Sequence, residues 1–215
     1  MKRIIIVGAG GHGSVVADIA FAMRDAGAGI EVVGFVDDDP ARHRAVVLGL
    51  PILGDITELK RVPHDAVIVA VGDNRRRETV TTTLLDSGER FAIAQHPSAV
   101  IGRGTTIEAG AMICAGAVVG PETSILRGAI LNTSCSVDHH NRIDAFAHVG
   151  PGVHCGGAVT IGTGALLGVG ATVAPGRTVG GWAVVGAGAV VIRDIPDRVV
   201  AIGTPARAIR PVSYD

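Results

Sequence analysis

The stretch Ile101–Val149, IGRGTTIEAGAMICAGAVVGPETSILRGAILNTSCSVDHHNRIDAFAHV, decides the fold. Every sixth residue in it is aliphatic: Ile101, Ile107, Ile113, Val119, Ile125, Leu131, Val137, Ile143 and Val149. The register continues through Cys155, Ile161, Leu167, Val173, Val179, Val185 and Val191, so 15 of 16 positions are Ile, Leu or Val. The exception, Cys155, is itself a small hydrophobe. Two residues before the aliphatic the chain is usually small or β-branched, as at Thr105, Ala111, Ala117, Thr123, Ala129, Cys135, Ala147, Ala165, Ala171, Ala183 and Ala189. Three residues after it, Gly stands at 9 of the 16 places. An α-helix cannot use this pattern. Six residues turn a helix by about 600°, so the aliphatics would spiral around it, and glycine at this density would cost ~1 kcal/mol each. A short strand followed by a tight corner satisfies every position: the aliphatic points inward, the small residue fits beside it, and Gly takes the corner. Three hexads close one triangular coil, stacked coils pair their strands in parallel, and the spacing predicts a parallel β-helix of a little over five coils.

Composition fits this reading. The chain has 215 residues, ~1.4 average domains, which leaves room for two small domains. Hydrophobic residues reach 47% while charged residues are 18%, the reverse of a disordered composition. The 31 glycines follow no G-X-Y period, which excludes collagen. Lys and Arg (19) nearly cancel Asp and Glu (20), and aromatics are 3%, so there is neither a basic field nor a set of stacking platforms for nucleic acid. No apolar run approaches the ~20 residues that cross a bilayer, so no membrane association is expected. Met1-Lys2-Arg3 leads into a strand and lacks a signal-peptide cleavage site; a cytoplasmic protein is expected. Cys114, Cys135 and Cys155 have no paired spacing and suit buried apolar positions better than disulfides or zinc.

Before Ile101 the hexad period is absent and the chain reads as α/β. Ile4–Val7 is a buried strand, Gly8-Ala9-Gly10-Gly11-His12-Gly13 a glycine loop, and Val15–Met23 an apolar helix. A second strand, Glu31–Val36, ends in Asp37-Asp38-Asp39-Pro40. A third, Ala66–Val71, ends in Gly72-Asp73-Asn74 and feeds a helix beginning near Arg75. A fourth short strand is expected around Phe91–Ala94, and His96-Pro97 marks the boundary between residues 1–96 and 97–215. Alternating strands and helices give a small parallel sheet with ligand positions at the carboxyl ends of its strands. The glycine loop departs from the regular G-x-G-x-x-G order, yet its physics is the same: small residues let a phosphate approach N–H groups at a helix N-terminus. Asp37 and Asp38 follow the second strand, where an acid commonly meets a ribose or base; a solvated turn explains them equally well.

Imidazole has the unperturbed pKa nearest neutrality, so the eight histidines are the candidate bases. His43 and His64 fall in polar loops and are expected to be solvent-exposed; His96 sits at the domain junction. His139 and His140 interrupt corner positions that are otherwise small, beside Asp138 and Asn141. His148 and His154 precede the interior residues Val149 and Cys155 and should point outward. A polar cluster on one level of an apolar solenoid points to His139 or His140 as functional, with His148 equally well a surface or subunit-contact residue. No metal is expected, because the adjacent pair is joined to Cys or carboxylate at no familiar ligand spacing. Ser134, Cys135 and Ser136 occupy repeat positions, which leaves a nucleophile unsupported.

The hexads, with the tail Gly203-Thr204-Pro205-Ala206-Arg207, resemble the hexapeptide-repeat acyltransferases. With Gly8–Gly13, Asp37-Asp38, Gly72-Asp73-Asn74, Ile130-Leu131-Asn132-Thr133 and Val137-Asp138-His139, the whole chain resembles the acetyltransferases of nucleotide-linked amino sugars and sialic acid. The resemblance implies an α/β Rossmann-like domain that binds a nucleotide-sugar, followed by an all-β left-handed parallel β-helix, against the usual right-handed crossover. It implies a homotrimer with acetyl-CoA lying between neighbouring helices, no metal, and His139 as general base, His140 standing where these enzymes usually carry Asp or Glu. Asn132, His148, Gly157, Val169 and Ala187 would contact acetyl-CoA, Gly157 through its N–H facing the thioester carbonyl. Gly8, Ala9, Gly10, Gly11, His12, Asp37, Asp38, Gly72, Asn74 and Arg77 match the places that hold the nucleotide-linked amino sugar. Asp138, Asp144 or a backbone carbonyl would orient His139 in place of the usual acid. The implied reaction is direct N-acetylation of a 4-amino-4,6-dideoxy sugar; O-acetylation of sialic acid or another sugar, or a non-catalytic scaffold, are the alternatives.

Overall fold

A computed structural model describes residues 1–213. The chain divides into two compact units, Met1–Pro97 and a second that begins at Ser98. In the first, Ile4-Ile5-Ile6-Val7 forms the end of strand β1 (Lys2–Val7), each residue at most 5% exposed. Such a continuous apolar run is what a strand covered on both faces requires. β1 lies between β2 (Ile30–Val36) and, later in the chain, β5 (Ala66–Val69), and both pairings are parallel. A hairpin of β3 (Val46–Val47) and β4 (Leu50–Pro51), unforeseen in the sequence, turns at Leu48-Gly49, both with positive φ.

Several boundaries differ from those read in the sequence. Helix α1 runs Gly11–Asp25, starting before the apolar pattern does, because the amides of a first helical turn need no partner one turn back. Helix α2 runs Asn74–Asp86, capped by the Asp73 carboxylate, which accepts the Arg76 N–H at 2.7 Å. β5 stops at Val69, and the expected fourth strand is divided into a bridge between Phe91 and Val67 and a two-residue strand at Ala94–Gln95. His64 is not the exposed loop residue expected: its side chain is 8% exposed and bonds the Val62 carbonyl (2.7 Å) and Glu89 (2.9 Å). His43 is half-buried, its Nε2–H donating to the Asp37 carbonyl at 2.8 Å.

The second unit is a left-handed parallel β-helix. Its strands are two residues long, one pointing out and the next in, as at Ser136–Val137 and Arg142–Ile143. Each pairs with the strand eighteen residues away, as Val119 does with Ile101 and Val137, so the hexad aliphatics stack in three interior ladders. Leu131, Ile143, Val149 and Ile161 are all fully buried, and the small slot beside them holds Ala111, Ala129, Cys135 and Ala147. The corner residue three after each aliphatic from Ile101 to Val185 adopts positive φ, including non-glycines at Glu122, Ser134, His140, Phe146, Ala158 and Trp182. Beyond the last coil, Val199–Ile202 pairs antiparallel with Arg207–Pro211.

Cys135 and Cys155 line this interior and Cys114 is likewise buried, all at most 4% exposed, and burial pushes the thiols of Cys114, Cys135 and Cys155 up to about 11, 12 and 12. The native protein is therefore expected to release no chromophore from a water-soluble disulfide reagent at pH 8, whereas in denaturant all three thiols react. Rapid native-state reaction would contradict this packing.

Candidate functional sites

The carboxyl ends of β1, β2 and β5 open into a pocket of about 360 Å³, lined among others by Gly8, Gly10, Gly11, His12, Asp37 and Gly72. Its floor is built by residues that pin one another. The Ala9 N–H donates to Asp37 Oδ2 at 2.7 Å, and the Ala9 carbonyl accepts from Arg42 at 3.2 Å, so the turn after β1 is held from the segment after β2. Asp37 Oδ1 also accepts the Asp39 N–H (2.9 Å), and Asp38 accepts the Ile56 N–H (3.1 Å). Both carboxylates thus organise the rim. Gly13 faces away from the pocket: a Cβ there would lie 2.2 Å from the Gly8 carbonyl oxygen, so α1 packs this close to β1 only with glycine. At Gly10 and Gly11 a Cβ would meet nothing within 4 Å, leaving backbone N–H groups at a helix N-terminus open to the pocket.

Asn74 and Arg77 lie beneath this site rather than on it, 8% and 0% exposed. The guanidinium donates to the carbonyls of Val71 (2.8 Å) and Gly72 (3.2 Å) and to Asn74 Oδ1 (2.8 Å), fixing the loop after β5 from below. Burial lowers it to about 10, which still leaves it charged at neutral pH. Burial, with the Arg77 charge added to it, lowers His12 to about 4, so His12 presents a neutral imidazole to the pocket. Arg42 and Arg76 also line the pocket and are the residues there that sequence reading did not single out; as surface arginines on a turn and a helix they carry no pattern of their own.

In the β-helix, the expected site residues fall on two corners. His139 and His140 occupy the corner after the strand Ser136–Val137, exposed, their Nδ1 atoms 2.9 Å apart and their rings crossed at 84°. His140 has φ 57°, a conformation that favours glycine, and its N–H donates to the Pro121 carbonyl. The His139 ring packs against Gly157 one coil later, where a Cβ would lie 2.4 Å from Cε1, so only glycine admits the imidazole. Asp138 accepts the His139 backbone N–H (2.8 Å) and so fixes the main chain, not the ring; Asp144 is paired with Arg142 at 2.7 Å. Neither replaces an orienting carboxylate.

Asn132, Val169 and Ala187 lie at the preceding corner and its stacked successors, six residues from the histidine corner. Asn132 Oδ1 accepts the Thr133 N–H (2.8 Å), which turns Nδ2–H toward His148 Nε2 at 3.0 Å. His154 bonds Ser136 Oγ (2.7 Å) on the flat face between the two corners. No cluster of three His, Cys, Asp or Glu suited to a metal occurs among the described residues.

Residues 3–84 match the PglD N-terminal domain. Over 119 residues the chain is 36% identical to UDP-N-acetylbacillosamine N-acetyltransferase of Bacillus subtilis, a match covering 54% of this chain and 52% of that protein, so it spans about half the curated relative's length. The crystal structure of PerB from Caulobacter crescentus with CoA and GDP-perosamine is 39% identical, with TM-score 0.89 over 97% of this chain and 98% of that one. The acetyltransferase domain of PglB from Neisseria gonorrhoeae in complex with acetyl coenzyme A is 35% identical, with TM-score 0.88 over 97% and 99%.

Two measurements test the pocket. His12 is lowered on folding, so the unfolded chain binds the extra proton between about 4 and 6.5; stability is complete above 6.5 and falls on acidification to about 4. The loss is on the order of 3 kcal/mol. His12→Gln should reduce this acid sensitivity in denaturant titrations at pH 7 and pH 5, and an identical slope for both proteins would contradict a neutral buried imidazole. Gly13→Ala should destabilise by more than ~2 kcal/mol, while Gly11→Ala should be neutral or stabilising by up to ~1 kcal/mol; equal effects would contradict the packing of α1 on β1.

Proposed function

Because the chain belongs to the family of nucleotide-amino-sugar acetyltransferases, we propose that it transfers an acetyl group from acetyl-CoA directly to the amino group of a nucleotide-linked 4-amino-4,6-dideoxy sugar, with His139 as general base. The observation that carries this reading is the contact of the His139 ring with Gly157, which sets an imidazole and a backbone N–H on one corner. Acyl transfer needs those two groups. His139 Nε2 accepts the proton that the amine nitrogen loses as its lone pair attacks the thioester carbon. Gly157 N–H donates to the carbonyl oxygen as it takes up negative charge. The C–N bond forms, the C–S bond breaks, and the thiolate leaving group recovers the proton from the imidazolium.

For His139 to accept at Nε2, its Nδ1 must carry hydrogen, and the 2.9 Å contact gives that hydrogen an acceptor in His140 Nδ1. The His140 ring thus does the orienting that a carboxylate does in other members of the family. In the first unit, the N–H groups of Gly10 and Gly11, with Arg42 and Arg76 on the rim, suit a diphosphate, and neutral His12 suits a hydroxyl.

Asn132, His148, Val169 and Ala187 would hold acetyl-CoA. Asn132, Val169 and Ala187 stand on a different corner from His139, and His148 on the strand that leads into that corner, which supports a groove completed by a neighbouring copy, as a homotrimer provides.

The test is a screen of UDP-, GDP- and dTDP-linked 4-amino sugars and free sialic acid with acetyl-CoA, followed by free thiol. Turnover of an amino sugar supports the reading. Turnover of sialic acid alone would make it an O-acetyltransferase, and thiol release from none would favour a scaffold. His139→Asn should reduce kcat by a factor on the order of 10² to 10⁴. His140→Ala should reduce it at least about tenfold, and His140→Asp should retain activity. Near-normal turnover by His139→Asn would remove the base from its role.

A further inference from the structure

Among the described residues, the β-helix buries two polar side chains, Thr123 (0% exposed) and Asn141 (2%). Both stand two residues before an inward aliphatic, in the slot that most often holds alanine. A buried amide or hydroxyl left unsatisfied costs about 1–3 kcal/mol, so alanine would be the simpler choice. Here both are fully engaged, and on one corner. Thr123 Oγ1–H donates to the Asp138 carbonyl (3.0 Å) and its oxygen accepts the Asn141 N–H (3.3 Å). Asn141 Nδ2 donates to the carbonyls of Asp138 (2.6 Å) and Gly156 (2.9 Å), and its Oδ1 accepts the Val159 N–H (3.0 Å).

The two carbonyls belong to the peptide planes that enter His139 and Gly157. In a trans peptide the C=O and N–H point in opposite directions. With the Gly156 carbonyl drawn inward by Asn141, the Gly157 N–H is turned outward, to the side where the His139 ring lies. A hydrogen bond accepted by that carbonyl also polarises the same peptide and strengthens its N–H as a donor. The Asp138 carbonyl, held by two donors from inside, fixes the plane from which the His139 backbone departs, while the His139 carbonyl accepts the Ala158 N–H at 2.8 Å.

We infer that Asn141, supported by Thr123, is a positioning residue that sets the base His139 and the oxyanion donor Gly157 relative to each other through the inside of the helix. The inference rests on the assignment of His139 and Gly157 given above. One coil earlier Thr105 donates in the same way to the Gly120 carbonyl (3.1 Å), but that peptide leads to Pro121, which has no N–H, and the corner carries no imidazole. Thr105 is therefore the internal control.

The test compares Asn141→Ala, Thr123→Val, Thr123→Ser and Thr105→Val with His139→Asn, by kcat and KM on the amino sugar that the protein acetylates. Asn141→Ala should lose about 10² in kcat and Thr123→Val about tenfold, with little change in either KM. Thr123→Ser should restore the rate, and Thr105→Val should keep it despite a similar loss of thermal stability. The Gly157 amide resonance should shift in Asn141→Ala and not in Thr105→Val, a readout that needs no substrate. An unshifted Gly157 amide, wild-type kcat in Asn141→Ala, or equal losses in Thr123→Val and Thr105→Val would overturn the inference. If His139→Asn is inactive while Asn141→Ala is fully active, the positioning role fails and the base stands; if His139→Asn is active, the base assignment itself fails.

Discussion

The interior of a triangular coil admits one aliphatic and one small side chain per hexad, and the rest of the β-helix is arranged around that limit. Ile113, Leu131, Val149 and Leu167 fill one ladder, fully buried, and the chain between successive ladders has room only for a turn. A strand of two residues offers one outward side chain, so the flat faces present single residues at regular intervals. Functional groups that must converge are therefore confined to corners, where three consecutive residues leave the sheet. The proposed base His139 and its neighbour His140 are at such a corner, and Gly157 is at the matching corner of the next coil. The scarcity of aromatic residues has the same origin: Phe146 and Trp182 sit at corners, lying over the glycines of neighbouring coils.

The α/β unit meets a different constraint, that phosphate-type ligands need unoccupied N–H groups held rigidly. The turn after β1 is fixed from three sides, by Asp37, Arg42 and the close packing of Gly13 on Gly8. Arg77 holds the facing loop from below and adds to the burial that keeps His12 neutral. Residues that touch the pocket and residues that shape it are thus different sets, as they are around His139.

The hexad ladder, the small slots and the glycine corners were legible in the sequence because all three recur on one six-residue period, and the strands of the α/β unit because their apolar runs are continuous. What failed to read were features without periodicity. Arg77 matches a ligand-facing position by resemblance, yet nothing local says that its long side chain turns under the loop. His64 looks like a loop residue until Glu89, far along the chain, is brought beside it. Asn141 was legible in principle, since two residues before Ile143 is an inward slot, but its neighbours Asp138, His139 and His140 made it resemble part of an exposed cluster.

The account centres on one geometry: an imidazole at Nε2 and a peptide N–H converging on the carbon that changes hands. A crystal structure with CoA and the nucleotide-linked amino sugar that proves to be the substrate tests it most directly. The acceptor nitrogen is predicted to lie within hydrogen-bond reach, ~3 Å, of His139 Nε2, with Gly157 N–H directed at the site of the acyl oxygen and His140 Nδ1 still against His139 Nδ1. An acceptor nitrogen remote from His139, or one served by a different base, would contradict it.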